Sequence, residues 1–103
     1  MSTSKDTIHY ILEKLRNTPR FATRAMFGEY ALYADGKVVG LICDDLLYIK
    51  ICPASDKLED ECEKDAPYPG AKPYYVISEE QLESLTQLPT ILFAISTSLP
   101  KKG

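Results

Sequence analysis

The chain has 103 residues, a formal net charge of −3, 45% hydrophobic and 26% charged residues. One domain spanning residues 1–103 follows, large enough to bury a core without staples, and the acidic balance argues against binding that rests on neutralising a phosphate backbone. No apolar run approaches the roughly 20 residues that a membrane span needs. The N-terminus is polar and then amphipathic, unlike a signal peptide. Cys43, Cys52 and Cys62 are an odd number without close spacing, which fits reduced thiols in the cytoplasm.

Residues 3–17 read as a helix, since Ile8, Ile11, Leu12 and Leu15 recur at i, i+3, i+4 and i+7. Thr3 or Ser4 caps its start, and Thr18, preceding Pro19, ends it. His9 has no cysteine or second histidine near it in sequence and reads as a surface residue. Residues 18–24 are expected to connect this helix to a sheet.

From Ala25 to Ile51 the sequence reads as a meander of three antiparallel strands. Gly28 in the first marks a bulge or a close backbone approach. Asp35-Gly36 is a type I′ hairpin signal, and it sets Tyr33 opposite Val38, Leu32 opposite Val39, Ala31 opposite Gly40 and Tyr30 opposite Leu41. Asp44-Asp45 is a chemically weaker turn that sets Ile42 opposite Leu47 and Leu41 opposite Tyr48. Alternation then gives a core face of Ala31, Tyr33, Val38, Gly40, Ile42, Leu47, Ile49 and Ile51. The reverse face carries Tyr30, Leu32, Val39, Leu41, Cys43, Leu46, Tyr48 and Lys50. It is still largely apolar, with Tyr30, Leu41 and Tyr48 in a row, and needs cover from a helix or a partner chain.

Pro53 is expected to open a second helix running to about Lys64. Ala54, Leu58 and Cys62 form its thin apolar line, and Asp56, Glu59, Asp60, Glu61 and Glu63 its solvated face. Residues 65–73, rich in proline, permit a short edge strand around Tyr68. Tyr74–Ile77 reads as a strand. Ser78-Glu79-Glu80-Gln81 is a capping box opening a short helix with Leu82 and Leu85. Leu88-Pro89 breaks that run, and Leu92, Ile95 and Leu99 suit a further helix, with a strand over 91–95 as the competing reading.

Chemistry-bearing patterns are sparse. No Ser, Cys or Thr is linked to a base, no paired C-x-x-C is present, and no glycine-rich phosphate loop occurs. No catalytic residue, metal or cofactor is therefore expected. Glu29, Asp44 and Asp45 come within reach of one another and are the one carboxylate group open to metal or small-ligand binding. Arg16, Arg20, Arg24, Lys37 and Lys50 are the basic residues open to nucleic-acid binding, although Arg16, Arg20 and Arg24 flank a proline that breaks their common face.

Met26-Phe27-Gly28-Glu29-Tyr30, the Asp-Gly-Lys turn and the later PYYVI make the stretch from Arg24 to about Ile77 resemble the N-terminal domain of the TfoX (Sxy) family of bacterial competence regulators. The resemblance implies a small α+β fold with an antiparallel sheet, of the order α-β-β-β-α-β-β-α, in the secretion-chaperone-like class. That order matches the elements above. It also implies a role in competence or transcription regulation, and no catalytic residues. Full-length regulators of this type carry a second, helical C-terminal domain that these 103 residues do not include. The expected function is a non-enzymatic regulatory module acting through protein contacts. Its contact surface is expected to be Met26, Phe27, Gly28, Glu29, Tyr30, Leu41 and Tyr48, and its partner another protein, a homodimer being the most economical version.

Overall fold

The computed structural model of the chain describes residues 4–15, 19–26 and 29–99. Helix α1, Lys5–Lys14, is capped by Ser4, whose side chain accepts a hydrogen bond from the Thr7 amide. Its apolar stripe buries Ile8, Ile11 and Leu15. His9 is exposed, as expected.

Four strands follow where three were expected. Most of the segment read as a connection is strand β1, Phe21–Met26, which pairs antiparallel with β2, Glu29–Ala34. Then come β3, Lys37–Cys43, and β4, Leu46–Ile49. Both turns hold: φ is positive at Asp35 and Gly36 (52° and 82°) and at Asp44 and Asp45 (52° and 64°), as a type I′ loop requires. Pairing of β3 with β4 is as read, with Ile42 opposite Leu47 and Leu41 opposite Tyr48.

Pairing of β2 with β3 departs from the reading. Tyr33 does lie opposite Val38, but Leu32 meets Gly40, Ala31 meets Leu41 and Tyr30 meets Ile42. Val39 is the extra residue of a β-bulge. Gly40 explains why the shift falls there, since a Cβ at this position would run into the carbonyl oxygen of Tyr48. The backbones approach too closely for a side chain. Upstream of the bulge every face assignment is therefore reversed. Leu32 and Val39 are core residues, Tyr30 packs against the same core, and Ala31, Tyr33 and Val38 lie on the other side. Downstream, Ile42, Leu47 and Ile49 are core residues as expected, whereas Ile51 is exposed.

The helix expected from Pro53 to Lys64 is a short 3-10 helix, Pro53–Leu58. Ser55, fully buried, ties its start down: its hydroxyl donates to the Lys50 carbonyl (2.7 Å) and accepts from the Cys52 amide (3.0 Å). Glu63–Asp65 is instead strand β5, so the edge strand expected around Tyr68 lies earlier in the chain. Strand β6, Tyr74–Ile77, is as read and inserts between β4 and β5, giving the order β1-β2-β3-β4-β6-β5. The capping box opens α2, Glu79–Ser84: the Gln81 amide donates to the Ser78 hydroxyl, and the Ser78 amide to the Gln81 side chain. Pro89 stands in the first turn of α3, Leu88–Ser98, which settles the last segment as helix.

The result is an α+β fold with an antiparallel sheet. All the described helices supply the same core: Ile11 and Leu15, Leu58, Leu82, and Leu92 and Ile95 pack with Leu32, Val39, Ile42, Ile49 and Tyr75 of the sheet.

Candidate functional site: the sheet face without helices

An antiparallel sheet with helices on one side commonly turns a polar face to water on the other. This one does not. Ala31, Leu41, Cys43 and Tyr48 form a second apolar cluster, against which Tyr33, Val38, Tyr74 and Val76 pack, and every member is a strand or turn-flanking sheet residue. The ladders arrange the centre of this face as one row across the whole sheet. Arg24 pairs with Ala31, Ala31 with Leu41, Leu41 with Tyr48, Tyr48 with Val76, and Val76 with Glu63. The row is apolar in the middle, with exposed Arg24 at the β1 edge and exposed Glu63 at the β5 edge.

Leu41 and Tyr48 are only 5% and 6% exposed. They form the floor of the face and do not wait for a partner to cover them. Their cover comes from neighbours on adjacent strands, because long side chains such as Tyr33 and Tyr74 reach over the next position of a twisted sheet. What remains accessible is the half-buried layer of Tyr33, Val38, Tyr74 and Val76, with Leu46 at 38% exposure two residues before Tyr48. A groove of about 660 Å³ lined by Arg20, Arg24, Tyr33 and Asp35 borders the face at its β1 side.

The expected contact residues are only partly brought together. Leu41 and Tyr48 are neighbours on this face; Tyr30 is on the opposite, helix-covered face, so the row of three does not exist. Glu29 opens β2, and its carboxylate accepts the Asp44 amide (3.1 Å), closing the second hairpin. Met26 ends β1 opposite Glu29, while Phe27 and Gly28, with the bulge read at Gly28, lie outside the described residues. Ala31, Tyr33, Val38, Tyr74 and Val76 complete the face and were missed. Tyr74 and Val76 alternate with buried Tyr75 and Ile77 along β6, and the insertion of β6 beside β4 puts them on this face.

The face carries reactive atoms but holds them in unreactive forms. Burial raises the Cys43 thiol above its ordinary range, aided by the Glu29 and Asp44 carboxylates, so it stays protonated at neutral pH. Burial likewise raises the Tyr48 and Tyr74 phenols, with Asp65 adding to the first and Tyr68 to the second. Such groups donate hydrogen bonds at a contact and do not attack a substrate.

The two competing sites dissolve into structural roles. Asp45 accepts from the Ser4 amide (3.0 Å) and the Thr7 hydroxyl (2.9 Å), tying the β3–β4 turn to the start of α1. Glu29 is spent on Asp44, and among the described residues no group of three or more His, Cys, Asp or Glu is placed to hold a metal ion. Of the basic residues, Arg16 lies outside those described. Arg20 grips Asp35 through two hydrogen bonds (2.8 and 2.6 Å) and stacks on Phe93, and Lys37 donates to the Ser96 and Leu99 carbonyls at the end of α3. Arg24 and Lys50 lie on the helix-free face and Arg20 lines the groove beside Arg24, but Arg20 is already paired with Asp35 and Lys37 is turned to the end of α3, so these residues form no continuous basic stripe.

The family model for the TfoX N-terminal domain matches residues 13–93. The chain belongs to the TfoX N-terminal domain family. It is also 33% identical over 100 residues to an uncharacterized 12.7 kDa protein in the trpE 5' region of Spirochaeta aurantia, a match covering 97% of this chain and 86% of that relative. As a TfoX N-terminal domain it is a non-enzymatic regulatory module. The matched span contains all six strands, so the row from Arg24 to Glu63 lies wholly within it. Among the described residues no helix is long and apolar enough to cross a membrane.

Proposed function

We propose that this TfoX N-terminal domain regulates by protein contact, and that the helix-free face of its sheet is the contact surface. The observation that carries the reading is the one-sidedness of the fold. Every described helix feeds one core, while the opposite face keeps an apolar cluster made of sheet residues, with tyrosines at its accessible level. Tyrosine gives large contact area with a polar tip at low entropic cost, which suits a surface that must be both soluble and sticky. Within this reading the fold sits in the secretion-chaperone-like class, residues 1–103 act as one domain, and the setting is the cytoplasmic control of competence or transcription, as the family resemblance implies.

Val76→Lys tests it. The new ammonium stands opposite Glu63 on β5 at a half-buried position from which a long side chain reaches water, yet puts a charge in the middle of the contact layer. The native particle containing the wild-type chain, sized in extract, is expected to be larger than the monomer, to shrink with Val76→Lys, and to be unchanged by Ala94→Lys on exposed α3. A wild-type particle of monomer size, or equal behaviour of the two variants, contradicts the reading.

A further inference from the structure

We infer that the occupant of this face is a second copy of the chain, packed sheet to sheet about a two-fold axis that runs parallel to the strands. The inference rests on the contact reading above and adds the partner and its geometry. Its source is the polarity of the central row, Arg24–Ala31–Leu41–Tyr48–Val76–Glu63. The two middle strands of the sheet are β3 and β4. An axis along the strands between them reverses the row, so Arg24 of each copy meets Glu63 of the other, Ala31 meets Val76, and Leu41 meets Tyr48. The accessible layer of Tyr33, Val38, Tyr74 and Val76 makes the contact above the floor of Ala31, Leu41 and Tyr48, and the two charges at the rim are paired twice by symmetry.

The neighbouring positions obey the same rotation. Two residues along the strands lie Ala22 and Tyr33 at one end and Tyr74 and Asp65 at the other, so Tyr33 of one copy meets Tyr74 of its partner. The remaining charges of the face, Glu29, Lys50 and Asp65, fall on the partner's Ser78, Val38 and Ala22 positions, and no like charges are opposed. An axis along the row instead sets Arg24 on Arg24 and Glu63 on Glu63. Charge therefore selects the first arrangement. Six strands spaced at about 4.8 Å span roughly 24 Å, a face small enough that the association is reversible and salt-sensitive.

Sedimentation of the full chain over a range of concentrations tests this. The wild type is expected to dimerise, more weakly as salt is raised. Arg24→Glu and Glu63→Arg are each expected to raise the dissociation constant at least about tenfold, and the double variant to return within about threefold of wild type. Arg24→Gln and Glu63→Gln, which add no repulsion, are expected to weaken the dimer by less and keep the test open if a reversed charge disturbs folding. A wild-type chain that stays monomeric throughout overturns the inference, as does a dimer indifferent to both exchanges. If the chain is monomeric while Val76→Lys still shrinks a larger particle in extract, the face binds a different protein, and only the contact reading survives.

Discussion

Gly40 decides which side chains of the sheet meet the helices. Its missing Cβ lets β3 lie against the Tyr48 carbonyl, and the bulge beside it turns over every residue of β2 relative to an unbroken ladder. Gly40→Ala is expected to cost about 3 kcal/mol, because only backbone movement relieves the clash. Gly36→Ala has open space around it and is strained only by its positive φ, so about 1 kcal/mol is expected. Urea midpoints of the two variants check the ordering. Ionisation adds two tests at this scale. The Ser4 amide, and then the Thr7 hydroxyl, hold the Asp45 carboxyl below its ordinary range. Its folded form therefore binds a proton less readily than the unfolded chain, so its contribution is full above about pH 4 and is lost as pH falls through the lowered value. Asp45→Asn is expected to flatten the acid limb of a stability–pH curve. Tyr75 runs the other way: burial, and the hydrogen bond its hydroxyl donates to Glu59 (2.9 Å), push its phenol up to about 12. Its contribution is present below about pH 10 and disappears as pH rises through 12. A ring-signal titration that finds Tyr75 ionising near 10 contradicts this.

Elements whose cause is local were legible in the sequence. The stripe of α1, the two aspartate turns, the capping box of α2 and strand β6 each carry their signal within a few residues. Ser78→Ala tests that logic: α2 has six residues and cannot stand without tertiary support, so loss of the cap is expected to lower stability by about 1 kcal/mol, read from the melting curve. Elements whose cause is distant were not legible. Phe21 anchors strand β1 and is held by Phe93 of α3, stacked on it at 4.7 Å, while Arg20 covers the Phe93 ring and grips Asp35. Strand β5 is Glu-Lys-Asp, a sequence with no strand propensity of its own; pairing with β6 makes it. The candidate face shares this history. Its floor, Leu41 and Tyr48, could be read from the β3–β4 turn, but Tyr30 was misplaced and Tyr33 and Val38 were missed because a bulge is a statement about the neighbouring strand.

At the scale of the molecule the question is what a one-sided fold does with its second side. Among the described residues three short helices and a 3-10 helix fill one layer, and the sheet seals its own centre on the other without becoming polar. The two sheet edges differ in the same spirit. Edge strand β5 is three residues long and fully charged, which discourages pairing with another chain, whereas β1 is longer and carries Arg24 as its outward charge. A charged β5 edge of this kind leaves the face as the surface proposed for association. Because the ion pairs expected at its rim are solvent-exposed, raising ionic strength is expected to weaken association without changing the thermal stability of the isolated chain. Site-specific photo-crosslinking in the native cell tests the central claim most directly, with a photoreactive side chain at position 76 on the bare face and, separately, at position 94 on the solvent side of α3. Discrete protein adducts from position 76 and none from 94 are the predicted result; adducts from both alike, or none from 76, contradict the account.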